Sequence, residues 1–126
     1  ERVMAAFPEP HAAIDAALKM HRAVREFRSG LDGDRDVQLK IGVYAGPCYA
    51  VTANGLLDYF GHSVNVAARL QSAAGPGELV TSAELAERAE QSGWLGELCV
   101  SERFEAHLKG LPPLAAARIV VDTPGR

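Results

Sequence analysis

The sequence lacks the features that mark several classes of protein. Nowhere in its 126 residues does an apolar run approach the ~18 residues of a membrane span, and its start lacks the basic, apolar and cleavage-site order of a signal peptide. Its only cysteines, Cys48 and Cys99, have no spacing suited to zinc or redox chemistry. We interpret both as small packing residues in a reducing compartment, and we expect a cytoplasmic protein in which this segment makes no membrane contact.

Aromatic residues are also few, at 6% of the chain, and the net charge is only -3. Because the sequence has neither clustered aromatic side chains nor a basic stripe, it argues against nucleic acid as a partner. It contains no GxGxxG or GxxxxGKS/T phosphate-binding loop. What it does contain is 48% hydrophobic residues, enough for one soluble domain with one core.

The first part of the chain predicts a strand followed by a helix. The apolar run at residues 3–7, closed by Pro8 and Pro10, is typical of a buried strand that ends where proline removes backbone donors. Pro10 also suits a first helical turn, and Ser29-Gly30 would end that helix. One face of it carries apolar residues at steps of three and four, which we assign to the core: Ala13, Ala17, Met20, Val24 and Phe27.

The middle of the chain predicts a strand, a hairpin and a second helix. Apolar residues alternate over residues 39–45, as in a strand. Residues 49–52 and 56–60 flank Asn54-Gly55, a dipeptide that favours a tight hairpin turn. The second helix begins near Gly61 and Ser63 and ends before residues 75–77. Its apolar stripe consists of Val66, Ala67, Leu70, Ala73 and Ala74.

The remaining pattern completes a mixed fold. A short strand at residues 79–80 is followed by Thr81 and Glu84, which have the spacing of a capping box and predict a third helix to about Gln91. Alternation from Leu98 to Leu108 predicts one bent strand or two short ones, and residues 116–121 a final strand. This order favours an α+β fold with helices packed on a largely antiparallel sheet.

Asn65 and Arg69 are the residues whose side chains best suit the binding of a ligand. They are four apart on the second predicted helix and share a face with Ser72, beside the apolar stripe. An amide can hold a sugar oxygen, and a planar guanidinium can hold phosphate oxygens. By spacing alone, Asn and Arg on a solvated helix face are far more often surface residues than ligands.

The stretch at residues 57–70, LDYFGHSVNVAARL, resembles the motif of class III nucleotide cyclases. Residues 2–7, 41–47 and 104–110 resemble further strands of the same family. The resemblance implies a ferredoxin-like α+β nucleotide cyclase sandwich in which the family's N-terminal strand and helix are lacking. Residues 1–126 would then form the C-terminal portion of a single catalytic domain.

The resemblance also implies a role for individual residues. Asn65 would position the ribose, and Arg69 would stabilise the pentavalent phosphorus transition state. Asp58 would read the purine edge and favour ATP, while Lys109 would pair with the terminal phosphates. Glu1 falls at the position of a metal-binding aspartate, in a family that uses two Mg²⁺ or Mn²⁺ ions, and its longer side chain makes this the weakest match.

The expected function is conversion of ATP to 3′,5′-cyclic AMP and pyrophosphate in the intact protein. Active sites of the family lie between two head-to-tail subunits, so a homodimer or a heterodimer with a second cyclase domain is implied. We therefore expect the isolated segment to be inactive. Two alternatives stay open: a degenerate domain that binds nucleotide or dimerises for regulation without catalysis, and an unrelated α+β interaction module.

Overall fold

The computed structural model describes residues 2–29 and 38–123. Within these ranges it contains three helices, and none of them is both long and apolar enough to cross a membrane. The helices are α1 (Pro10–Ser29), α2 (His62–Ala73) and α3 (Ala83–Gln91). The strands are β1 (Lys40–Val43), β2 (Tyr49–Ala53), β3 (Leu56–Phe60), β4 (Glu78–Ser82), β5 (Glu102–Ala106) and β6 (Leu114–Val120).

Four of the strands form one mixed sheet with the order β1-β4-β6-β5. β1 and β4 are parallel, while β6 runs antiparallel to both β4 and β5. In this register Leu79 of β4 lies opposite Ile119 of β6, and Val80 lies opposite Arg118. Since successive side chains of a strand point to opposite faces, the sheet has two faces to bury.

Each face of the sheet is covered by helices. One cluster of buried residues joins α1 and α3 to the sheet, and its members are Ile14, Ala17, Leu18, Leu79, Leu85, Ala89, Leu95 and Ile119. The second cluster joins α2 to the other face, and its members are Val66, Leu70, Ala74, Val80, Ala106, Leu108 and Ala116. The predicted α+β sandwich, with a largely antiparallel sheet and helices packed on it, is therefore confirmed.

A glycine on β1 sets the distance of α2 from the sheet. A Cβ atom placed on Gly42 would lie 2.3 Å from the backbone nitrogen of Gln71 and 2.6 Å from the carbonyl oxygen of Ala67. Both atoms belong to the backbone of α2, so they cannot move aside as the end of a flexible side chain could. The close contact between α2 and β1 therefore requires the absence of a side chain at residue 42.

α1 is joined by polar groups to β4 and to the segment that follows β6. Asp122, which is 1% exposed, accepts two hydrogen bonds of 2.8 Å from Arg28 and one of 3.2 Å from Arg25. The hydrogen bonds from Arg28, and then the one from Arg25, hold the pKa of Asp122 below its usual value against the opposing effect of burial. His21, fully buried on the same helix, donates from Nε2 to the carbonyl oxygen of Glu78 at 3.1 Å.

The hairpin of β2 and β3 forms a separate two-stranded sheet. Its turn has the predicted left-handed residues, with φ of 54° at Asn54 and 77° at Gly55, so the prediction from this dipeptide is confirmed. All residues of β2 and most of β3 are exposed. The exposed large apolar side chains of the hairpin are Tyr49, Val51, Leu56, Leu57 and Phe60.

The predicted strand at residues 3–7 is wrong. This segment has no regular secondary structure, and every residue in it is exposed, including Val3 at 96%. The physical reason is that an apolar run becomes a strand only when another strand supplies its hydrogen-bond partners. The described sheet supplies none to this segment.

The assignment of Met20 and Phe27 to the core is also wrong, since they are 44% and 60% exposed. The buried face of α1 instead consists of Ile14, Ala17, Leu18 and His21. α1 thus has apolar residues on more than one face, and helical spacing alone did not identify which face contacts the sheet.

Three smaller predictions need correction. The cap of α3 is Ser82, whose hydroxyl accepts from the backbone nitrogen of Leu85 at 3.1 Å, whereas the hydroxyl of Thr81 donates to the carbonyl oxygen of Val43. The predicted strand from Leu98 to Leu108 is limited to residues 102–106. The two cysteines are both exposed, so their assignment as packing residues is wrong.

Candidate functional site

Asn65 and Arg69, whose side chains best suit the binding of a ligand, lie on the outer face of α2. Asn65 and Arg69 are both exposed, one helical turn apart, while Ser63, Val66 and Leu70 of the same helix are buried. Neither side chain forms a hydrogen bond or ion pair with any of residues 2–29 and 38–123. As the spacing predicts, an amide and a guanidinium project together, and they point away from the sheet that holds their helix.

The start of α2 depends on a glycine. Gly61 precedes the helix with φ of 127° and ψ of 178°, and no side chain caps the first turn. Its carbonyl oxygen accepts from the backbone nitrogen of Asn65 at 3.3 Å. A residue with a side chain rarely adopts this φ, so glycine makes possible the abrupt change of direction from β3 into α2.

Asp58 lies on β3, just before that change of direction. It is exposed and pairs across the hairpin with Val51. One carboxylate oxygen accepts from the backbone nitrogen of Tyr59 at 2.8 Å. This bond restricts the carboxylate and leaves its remaining lone pairs available to a ligand.

Lys109 lies in the turn that follows β5, where Leu111 donates from its backbone nitrogen to the carbonyl oxygen of Leu108 at 3.0 Å. Leu108 is buried, whereas Lys109 is exposed. Leu108 and Leu111 line a shallow groove together with His62 and Val66 of α2. The fold therefore brings the turn that contains Lys109 against the N-terminal half of the helix that carries Asn65 and Arg69.

The C-terminal end of α2 contacts a charged cluster that sequence reasoning missed. Arg118 of β6 donates from Nη1 to the carbonyl oxygen of Ala73, the last residue of α2, at 3.2 Å. The same nitrogen pairs with the Glu78 carboxylate, and Nε donates to Glu102 at 2.9 Å. Burial alone would lower the pKa of Arg118, but the bonds to Glu102 and Glu78 outweigh it and raise the pKa.

No local signal identifies this cluster, because Arg118 lies 40 residues from Glu78 along the chain. Only the antiparallel register of β4 and β6 brings the two side chains to the same face of the sheet. Residues far apart in sequence can be paired only when the topology is known.

A metal site is not formed by the described part of the chain. In residues 2–29 and 38–123, no three His, Cys, Asp or Glu side chains lie together as metal ligands would. Glu1, the residue to which the resemblance gives a metal-binding role, lies outside the described residues. The described residues thus do not fit a resident metal ion by themselves.

Comparison with known proteins identifies the family. The profile of the adenylate and guanylate cyclase catalytic domain matches residues 5–118, which is most of the chain. No curated protein sequence gives a significant match. The chain belongs to the adenylate and guanylate cyclase catalytic domain family.

Solved structures with a similar fold agree with this assignment. An adenylate/guanylate cyclase/hydrolase from Silicibacter pomeroyi aligns with a TM-score of 0.72 and 26% identity, over 93% of this chain and 66% of that one. The adenylyl cyclase CyaB from P. aeruginosa aligns with a TM-score of 0.66 and 22% identity, over 92% and 60%. The guanylate cyclase domain of RhGC from Catenaria anguillulae, solved with GTP, aligns with a TM-score of 0.70 and 18% identity, over 94% and 63%.

This chain therefore spans between 60% and 66% of the length of these three structures. They include an adenylyl and a guanylate cyclase, so the likeness in fold does not distinguish between the two purines. The family and the fold are thereby established, whereas the substrate and the roles of single residues depend on the chemistry of the site.

Proposed function

We propose that this chain is the C-terminal part of a class III cyclase catalytic domain that, in the intact protein, converts ATP to 3′,5′-cyclic AMP and pyrophosphate. One observation carries the proposal. Asn65 and Arg69 lie one turn apart on the exposed face of α2, and no described residue forms a hydrogen bond or ion pair with their side chains. Because the chain belongs to this family, the pair is a candidate for substrate contact rather than an ordinary helix surface.

The chemistry of Arg69 suits the transfer of a phosphoryl group. Its planar guanidinium can donate two parallel hydrogen bonds to phosphate oxygens, and its charge persists at any physiological pH. Donors that are already in place where negative charge develops stabilise the transition state more than the ground state. In this proposal Arg69 contacts the phosphate at which the ring closes, and Asn65 holds a ribose oxygen through its amide.

Asp58 and Lys109 would bind the two ends of the nucleotide. A carboxylate accepts a hydrogen bond from the amino group of adenine, whereas guanine presents a carbonyl oxygen at the equivalent place. The accepting capacity left on Asp58 therefore supports ATP as the substrate. The exposed ammonium group of Lys109, in a turn beside α2, suits the terminal phosphates.

The proposed active enzyme contains a second cyclase domain, arranged head to tail, from an identical or a different chain. Two features support this partner. The Asn65 and Arg69 face points away from its own sheet, so a nucleotide bound there needs a second surface to enclose it. The hairpin also leaves apolar side chains such as Tyr49 and Leu56 exposed, at 75% and 73%, and a subunit interface would cover them.

We also propose that the intact enzyme depends on two Mg²⁺ or Mn²⁺ ions, which would neutralise phosphate charge. In the described ranges, no three His, Cys, Asp or Glu side chains lie together as metal ligands would. The groups of Asn65, Arg69 and Lys109 are an amide, a guanidinium and an ammonium. They can bind and orient the nucleotide but cannot hold the ions. Removal of divalent cations by EDTA should abolish product formation, and Mg²⁺ or Mn²⁺ should restore it.

The experiment that tests the function compares two arginine variants of the full-length protein. Arg69→Ala should lower the rate of cyclic AMP formation by ~10²–10³-fold, as for loss of one preorganised donor. The matched control is Arg22→Ala, which removes an exposed arginine of α1 that has no hydrogen bond or ion pair among the described residues. Cyclic nucleotide would be measured with ATP and with GTP as substrate.

The outcomes separate the proposal from its alternatives. Equal rates in Arg69→Ala and Arg22→Ala would refute the role of Arg69, and product from GTP alone would refute the purine assignment. A wild-type protein that binds ATP in calorimetric titration but forms no product would instead be a degenerate cyclase. Absence of both binding and product would contradict every nucleotide-based function.

A further inference from the structure

The charged cluster of Arg118, Glu78 and Glu102 contacts the C-terminal end of the helix that carries Arg69. Arg69 and Ala73 are one turn apart, and Ala73 is the residue whose carbonyl oxygen accepts from Arg118. The last carbonyl groups of a helix have no partner within the helix, and a cation there also opposes the helix dipole. α2 has no basic residue in its own last turn, so the compensating cation comes from β6.

Arg118 is itself held from several directions. Its side chain is 22% exposed, and its guanidinium carbon lies 4.9 Å from the ring centre of Phe104 on β5. Glu102 on β5 and Glu78 on β4 accept its hydrogen bonds. A side chain held by groups on two neighbouring strands can define the position of the helix end that it contacts.

The Glu78 carboxylate extends the cluster into the turn after α2. It accepts from the backbone nitrogen of Gly75 at 2.6 Å, two residues after the helix ends. The end of the helix and the following turn are thus joined to the sheet by one ion pair, Arg118 with Glu78. At its other end α2 starts at Gly61 without a side-chain cap.

We propose that Arg118 is a positioning residue for catalysis: by holding the last turn of α2 on the sheet, it fixes the direction in which Arg69 presents its guanidinium. This inference rests on the proposed function. Arg118 would touch neither nucleotide nor phosphate, and it would act only through the helix. A small displacement of a catalytic group from its productive geometry costs far more in turnover than in substrate affinity.

The test uses the full-length protein with Arg118→Met, and Glu102→Gln as the matched control. Arg118→Met removes the bonds to Ala73, Glu78 and Glu102. Glu102→Gln keeps an acceptor oxygen for Nε of Arg118 and leaves the bonds to Ala73 and Glu78, at a side chain that is 55% exposed. We expect kcat to fall by about 10- to 100-fold in Arg118→Met, with KM within about twofold of wild type. Arg118→Lys, which keeps one charged donor, should recover part of the loss.

A double variant distinguishes positioning from a general loss of structure. If Arg118 acts through Arg69, then in an Arg69→Ala background the change Arg118→Met should lower kcat by less than about twofold. An equally large loss in both backgrounds would overturn the proposal.

Hydrogen exchange provides a readout that does not depend on activity. Backbone amides of residues 70–75 should exchange faster in Arg118→Met and remain as in wild type in Glu102→Gln. Unchanged exchange in Arg118→Met would overturn the proposal whatever the activity. Faster exchange in a protein whose wild type forms no cyclic nucleotide would refute the proposed function and the catalytic part of this inference, while confirming the structural anchor.

Discussion

Two antiparallel strand pairs of this domain have the same length but opposite surroundings. β4 with β6 and β2 with β3 each align five residue pairs. Four of the five residues of β4 are buried, whereas all five of β2 are exposed. Backbone pairing can thus be satisfied locally by a tight turn, while burial requires helices from elsewhere in the chain. The stability of the described fold therefore resides in the sheet, and the hairpin retains exposed apolar surface.

The largest expected effect comes from the centre of the buried pair. Ile119, fully buried between α1, α3 and the sheet, should cost ~2–5 kcal/mol in the free energy of unfolding when replaced by alanine. Leu56→Ala, at a residue 73% exposed in the hairpin, should change it by less than about 0.5 kcal/mol. Urea denaturation of both variants measures the difference. Similar losses would mean that the hairpin is part of the same core.

A smaller effect is expected where α2 meets the sheet. Gly42→Ala places a methyl group 2.3 Å from a backbone nitrogen of α2, so the helix must shift, at a cost of about 1–3 kcal/mol. Ala50→Ser adds one atom at an exposed position of β2 and should be nearly neutral. The same denaturation measurement applies, and a neutral Gly42→Ala would show that the helix can move without loss.

The smallest expected effect is a pH dependence of the free energy of unfolding that arises from the buried residue His21. Burial lowers the pKa of His21 below the usual 6.5, against the raising effects of its bond to Glu78 and of nearby Asp122. Nδ1 of His21 is buried without a hydrogen-bond partner in the described structure, so a proton there would find no acceptor. The folded state thus binds fewer protons than the unfolded chain below pH 6.5, and stability should decrease as the pH falls through that range.

The midpoint of urea denaturation, determined at about pH 7.5 and at about pH 5.5, measures this dependence. His21→Gln should reduce the difference between the two midpoints, whereas His107→Gln, at a residue 74% exposed, should leave it as in wild type. Asp122, held by Arg28 and Arg25, has a pKa below its usual value and stays ionised at both conditions. An identical pH dependence in His21→Gln would exclude His21 as its source.

The same contrast explains which elements could be predicted from the sequence. Asn54-Gly55 defined the hairpin because the turn conformation depends on those two residues alone. The face shared by Asn65 and Arg69 followed from helical spacing, which is equally local. Residues 3–7 were predicted wrongly because a strand needs a neighbour that no local pattern supplies.

Errors within the helices have a related cause. α1 carries apolar residues on more than one face, and the choice of Ile14 and Leu18 over Met20 and Phe27 was made by contact with β4, β6 and α3. The cap of α3 is Ser82 rather than the predicted Thr81, because pairing with β6 extends β4 to Ser82. Arg118 could not be associated with α2 at all, since its role depends on strand order.

By itself the sequence determined the turns, the helix spacing and the family motif around Asn65 and Arg69, since each depends on residues within a few positions of one another. The tertiary structure alone decided which helix face is buried, how closely Gly42 lets α2 approach the sheet, and that Arg118 contacts the end of that helix. These contacts join residues tens of positions apart. Their free energy depends on how strands and helices pack, which local sequence patterns do not encode.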